Sequence, residues 1–280
     1  TITDHSHYHL QKGHDLLLEI SEKYYKPGPG GYIPLVGWEM TWSNATGWNG
    51  HMNVISTKWI EANLSLTLPE FYELVITDPD AIAQFNHATY TWGNFNDYAY
   101  YSKEADARID LFEFNKETYE EEYARCLSKG WHVSPSHNED NHSGNWGSAS
   151  SRCGKVIAGS LTKDNVIEAI KKNRTYAVAD PKTYMEYKIN GQWMGSILKN
   201  PTELNFDIIV AHGERAQTGR LRIITEDSIV VYDRTFTQAD LVNHPRYKHP
   251  VIHITDLKLP VEYDYYYVAF IDSNNGHTIS

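Results

Sequence analysis

After Asp180-Pro181 the hydrophobic pattern of this chain changes, and that change limits the folds open to it. Before that point, short apolar runs alternate with helix-length amphipathic stretches. Leu16-Leu17-Leu18 with Ile20 gives a helical face, closed by Pro27-Gly28-Pro29-Gly30-Gly31. Residues 32–40, 52–56, 81–85 and 109–114 read as strands. Pro69 followed by Glu70, Phe71, Leu74 and Val75 predicts a helix with proline in its first turn, and 117–128 predicts another. Thr162 caps a third, which carries Val166, Ile167, Ala169 and Ile170. Beyond Pro181 the strand candidates follow one another without helices. Residues 184–189 lead into Asn190-Gly191, a favoured tight-turn pair, and 204–210, 221–225, 229–232, 251–254 and 265–271 follow. We expect an α/β layer over 1–180, either a barrel or a doubly wound sheet, and a small antiparallel β-sandwich over 181–280.

The 280 residues, 41% hydrophobic and 22% charged, supply enough apolar material for a real core. A formal net charge of −11 argues against a nucleic-acid backbone or an anionic membrane surface as partner. Metal cations could still supply the positive charge that an anionic substrate needs. No apolar run approaches the roughly eighteen residues of a membrane span. Two cysteines, Cys126 and Cys153, are too few for a disulfide framework or a cysteine-type zinc site. Plentiful tyrosine, tryptophan and asparagine lean towards a secreted or periplasmic bacterial protein rather than a cytoplasmic one. Nothing in the sequence sets the oligomeric state.

Histidine is the outlier, with 14 residues, several of them bunched. His5 follows Thr1-Ile2-Thr3-Asp4, Glu39 closes Gly37-Trp38-Glu39, and His51 follows Gly50. His87 ends Phe85-Asn86-His87, and Asp140 and His142 lie in Asn138-Glu139-Asp140-Asn141-His142. Any one of these is more often a hydrogen-bonded histidine, a solvated acid or an Asx turn than a ligand. Their repetition near strand ends tips the balance, because C-terminal strand ends in α/β barrels converge on one mouth. Imidazole and carboxylate donors suit one to three zinc, manganese or iron ions. A metal-bound hydroxide is a nucleophile that needs no serine or cysteine, and the chain offers no Gly-x-Ser-x-Gly elbow.

In order and spacing, Thr3-Asp4-His5, Gly37-Trp38-Glu39, Gly50-His51-Met52-Asn53, Asn86-His87 and Asp140-Asn141-His142 resemble the motifs of the PHP (polymerase and histidinol phosphatase) superfamily. Ser151-Arg152-Cys153-Gly154, Leu161-Thr162-Lys163 and Arg174-Thr175-Tyr176-Ala177 narrow the resemblance to the CehA/McbA-type metallohydrolases. The resemblance covers residues 1–180. It implies a distorted (β/α)7 barrel and hydrolysis of a phosphoester or another ester bond in a small-molecule substrate. It makes His5, Glu39, His51, His87, Asp140 and His142 metal ligands. Asp140, His142 and Arg152 become the catalytic group, with Arg152 on a substrate anion. The family's first motif, His-x-His on the first barrel strand, has no counterpart before Thr3. His5-Ser6-His7-Tyr8-His9 comes too late to replace it, so His7 and His9 read as loop residues. The chain therefore reads as a piece of a longer protein, expected to hold fewer ions than an intact relative and to hydrolyse poorly. His137 stands where the family has a different polar residue and is left outside the ligand set. A reading from another class is a carbohydrate- or ligand-binding module using Trp193 and the β-domain, or a pseudoenzyme on a degenerate barrel.

Overall fold

The structure is a computed structural model that describes residues 1–280 except 43–48, 90 and 116, and except the side chains of 9 and 117. The chain divides into two compact units. The first comprises Thr1–Glu113, Arg125–Val133 and Ala158–Lys172; the second comprises Phe114–Ala124, Ser134–Ile157 and Asn173–Ser280.

In the first unit, helix α1 (Ser6–Tyr24) precedes strands β1 (Gly37–Thr41) and β2 (His51–Ile55). Helix α2 (Leu68–Ile76), strand β3 (Ile82–Asn86), the turns α3 (Phe95–Tyr98) and α4 (Lys103–Asp106), and strand β4 (Ile109–Glu113) follow. Helix α5 (Glu120–Ser128) begins in the second unit's sequence and ends in the first's. The strands lie in the order β1-β2-β3-β4; β1, β2 and β3 are antiparallel neighbours, and β3 and β4 are parallel. Ahead of them, Ile2 bridges Val36 and His5 bridges Glu39 in parallel, so the first residues run alongside β1.

Local sequence explains the elements. Thr67 and Glu70 form a reciprocal capping box at the start of α2, with Pro69 in the first turn. Side chains alternate along a strand, and register then sorts them by face. Trp38, Met40, Met52, Val54, Ala83 and Phe85 share one face, which is buried. Phe71 of α2 packs edge-on against Trp38, and Trp131 does so against Phe85. The other face changes character along its length. Ile55, Ile82 and Leu111 pack with Ile170 of the helix Lys163–Lys171, and beyond them the same face carries Glu39, Thr41, His51, Asn53, Gln84 and Asn86.

The second unit holds β5 (Ser134–Ser136), β6 (Cys153–Val156), β7 (Thr175–Val178), β8 (Thr183–Ile189), β9 (Gln192–Trp193) and β10 (Leu204–His212). Its later strands are β11 (Gly219–Ile224), β12 (Val230–Phe236), β13 (Ile252–Leu259), β14 (Tyr267–Asp272) and β15 (His277–Ile279). One antiparallel sheet runs β13-β10-β8-β9 and the other β12-β11-β14-β15-β7-β6. Inward residues of both, including Tyr187, Phe206, Ile208, Leu221, Ile223, Val268 and Phe270, share one core. Asn190 and Gly191 both have positive φ, 52° and 77°, as the tight turn between β8 and β9 requires.

The (β/α)7 barrel expected from the sequence is not what the chain forms. Among the described residues no sheet closes, the sheets are mixed or antiparallel, and helix content is low at 23%. The reason lies in the connections. Parallel neighbours need a crossover of about a dozen residues or more, usually a helix, and β1 reaches β2 through residues 42–50 alone. That link permits only an antiparallel return, and β2 and β3 are antiparallel although α2 lies between them. His7 and His9, expected in a loop, fall in the first turns of α1, which breaks at Leu10 (φ 55°). No helix among the described residues is long and apolar enough to cross a membrane.

Candidate metal centre

The upper end of the polar sheet face gathers four of the residues singled out in the sequence. Glu39 sits mid-strand on β1, between fully buried Trp38 and Met40, and is itself 5% exposed. His51 opens β2 and pairs in register with Thr41, two residues along from the pairing of Glu39 with Asn53. His87 follows the last residue of β3 with a left-handed backbone, φ 27°, which turns it out of the strand. The bridge between residues 2–5 and β1 delivers His5.

These side chains converge on one carboxylate. His51 Nδ1 lies 3.2 Å and His87 Nε2 3.6 Å from Glu39 Oε1, and His5 Nδ1 lies 3.4 Å from Oε2. One donor atom from each of Glu39, His51 and His87 falls within 4.8 Å of the others. Thr41 Oγ1 stands 2.6 Å from His5 Nδ1. Burial opposes ionisation of Glu39, but hydrogen bonds from His51 and His87 and the charge on His5 and His51 outweigh it. Its carboxyl is held well below the usual carboxylate range. A buried anion ringed by imidazoles is the donor chemistry that a borderline divalent cation takes, so the residues fit such an ion.

Two amides complete the setting, and both escaped the sequence reading as individual contributors. Asn86 Nδ2 donates to Glu39 Oε1 at 3.0 Å, and Gln84 Nε2 donates to Asn86 Oδ1 at 2.8 Å. Both amides are nearly fully buried. The signal that would have found them is the two-residue spacing of polar side chains in otherwise apolar strands. Glu39 and Thr41, His51 and Asn53, and Gln84 and Asn86 each share a face. Around the cluster stand two exposed rings, Trp92 at 5.8 Å from His87 and 6.0 Å from His51, and Tyr8 at 6.0 Å from His5.

The remaining candidates belong to the second unit. Asp140 and His142 pair with each other at 3.1 Å, with 47% and 60% of their side chains exposed. Asp140 takes a positive φ of 45°. Arg152 donates to the carbonyl of Asn115. His137 is half-buried, and burial pushes its imidazole pKa down. Trp193, offered as a sugar platform, is half-buried with the Lys188 ammonium 4.4 Å from its ring centre, so one face of the ring is occupied. His14 and His212 have structural roles: His14 Nε2 contacts the Thr57 carbonyl at 2.9 Å, and His212 Nε2 pairs with Asp180 at 3.0 Å.

No protein-family model matches this chain, and no curated protein matches it. Among solved structures it is similar to a two-domain protein from Bacteroides vulgatus containing a predicted PHP-like metal-dependent phosphoesterase. The identity is 16%, over 98% of this chain and 80% of that one, with a TM-score of 0.42. A superposition at that level carries no function across, and what this chain does rests on its own residues.

Proposed function

We propose that the chain is a metal-dependent hydrolase acting on a phosphoester or a related ester. The observation that carries this reading is the buried Glu39 carboxylate with His51 and His87 donors packed around it. Glu39, His51 and His87 would hold a divalent cation, with His5 as a fourth donor on the other carboxylate oxygen. Such a cation supplies, when bound, a Lewis acid for the substrate and an activated water at neutral pH. Glu39 stays ionised through neutral pH, so it binds and orients charge and cannot be the acid that protonates a leaving group. Asn86 fixes one oxygen of Glu39 and leaves the other turned towards His5. The motif order read in the sequence supports the hydrolase reading.

The test is hydrolysis of p-nitrophenyl phosphate, bis(p-nitrophenyl) phosphate and p-nitrophenyl acetate with Mn²⁺ or Zn²⁺, and with a chelator. Turnover that needs the metal and disappears in Glu39→Gln supports the reading. Turnover indifferent to both chelator and Glu39→Gln rejects it.

A further inference from the structure

Glu113 is 1% exposed and closes β4, the parallel neighbour of β3. Gln84 lies opposite Leu111, which puts Glu113, two residues on, on the same polar face as Gln84 and Asn86. Its Oε2 accepts a hydrogen bond from the backbone N–H of His87 at 3.1 Å. His87 is where β3 ends and the chain enters a left-handed conformation, φ 27°, that a non-glycine residue holds only when its surroundings enforce it. A backbone N–H turned out of a sheet ladder and buried must find an acceptor, and here the acceptor is a side chain from the next strand.

From this geometry we infer that Glu113 is a positioning residue of the metal centre. It fixes the His87 backbone, and so sets where His87 Nε2 stands relative to Glu39 Oε1. The inference rests on the metal-site reading above. Glu113 is not a ligand in this account: it is absent from the donor cluster of Glu39, His51 and His87, and its Oε2 faces the backbone. Its reach matters, because a shorter side chain cannot span from β4 to the turn after β3. Its charge matters less, because a neutral amide oxygen accepts the same hydrogen bond.

Two variants of the full chain separate reach from charge. Glu113→Gln keeps the acceptor at the same reach and loses the charge; Glu113→Asp keeps the charge and loses the reach. Mn²⁺ and Zn²⁺ affinities are measured by chelator competition, and the amide exchange rate of His87 is measured by NMR in metal-free protein. We expect Glu113→Asp to weaken metal binding by about 10–100-fold, the range for contacts that orient ligands, and to speed exchange at His87. Glu113→Gln should stay close to the wild type in both. Thr67→Ala, which weakens the cap of α2 away from the site, should lower stability and leave metal affinity unchanged. If Glu113→Asp binds metal as the wild type does, with His87 still protected, the inference is overturned. Equal damage in the two Glu113 variants also overturns it, because charge or direct ligation would then be what counts. A wild-type protein that binds no metal removes the function proposed above, while the exchange rates at His87 still decide whether Glu113 fixes that backbone.

Discussion

Burial opposes the ionisation of Glu39, and hydrogen bonds from His51 and His87 with the charge on His5 and His51 outweigh it, while Asn86 donates to the same carboxylate. The amide of Asn86 is the part of that setting most easily removed. Asn86→Ala should lower divalent-metal affinity by about 10–100-fold with little change in secondary structure, measured by competition with a chromophoric chelator and by circular dichroism. A different acid tests the electrostatics away from the site. Asp110 on β4 is nearly fully buried, and desolvation raises its pKa to about 8 against the opposing pull of Lys171 and Arg108. Unfolded, it titrates near the ordinary 3.8, so between those values folding takes up a proton. Its contribution is therefore full below the unfolded pKa and is lost as pH rises towards 8. Relative to Asp110→Asn, the wild type should lose more than about 1 kcal/mol between pH 5 and pH 8 in urea denaturation. Parallel pH profiles for the two proteins would contradict this.

At the scale of elements, much was legible and some was not. The helices at 68–76 and 163–171 are legible through Pro69 in the first turn of one and Thr162 at the start of the other; Thr162 caps its helix as expected, whereas the Thr67 cap of the first emerges only in the structure. Thr67→Ala should cost about 0.5–2 kcal/mol in thermal or urea unfolding. The strands were legible as apolar runs, because β-rich chains put buried side chains at short spacing. Their direction was not. Apolar runs at 52–56 and 81–85 look the same whether the strand returns parallel or antiparallel, so a string of strands and helices read as a barrel. The short link over 42–50 held the contrary information. Glu39, His51 and His87 stood out by residue type, whereas Gln84 and Asn86 did not, because an amide in a strand signals a ligand-orienting contact only once register is known. Asp140 and His142 were chosen for their local motif, and what the fold adds is a contact between the two.

For the molecule as a whole, each compact unit is assembled from separated stretches of chain, so a single boundary along the sequence is a coarse description of it. The first unit concentrates buried polar side chains on one sheet face, while the second pairs two antiparallel sheets over an apolar core. A protein of this kind should respond to metal through the first unit. A ligand bound only by the folded state adds about 2.7 kcal/mol at a hundredfold excess over its Kd. The most direct test is metal content together with melting. Metal-free protein is loaded with Zn²⁺ or Mn²⁺, desalted and measured by elemental analysis, alongside Glu39→Gln. The account predicts at least one ion per chain and a raised Tm in the wild type, with both lost in Glu39→Gln. Equal metal content in the two proteins, or none in the wild type, would contradict it.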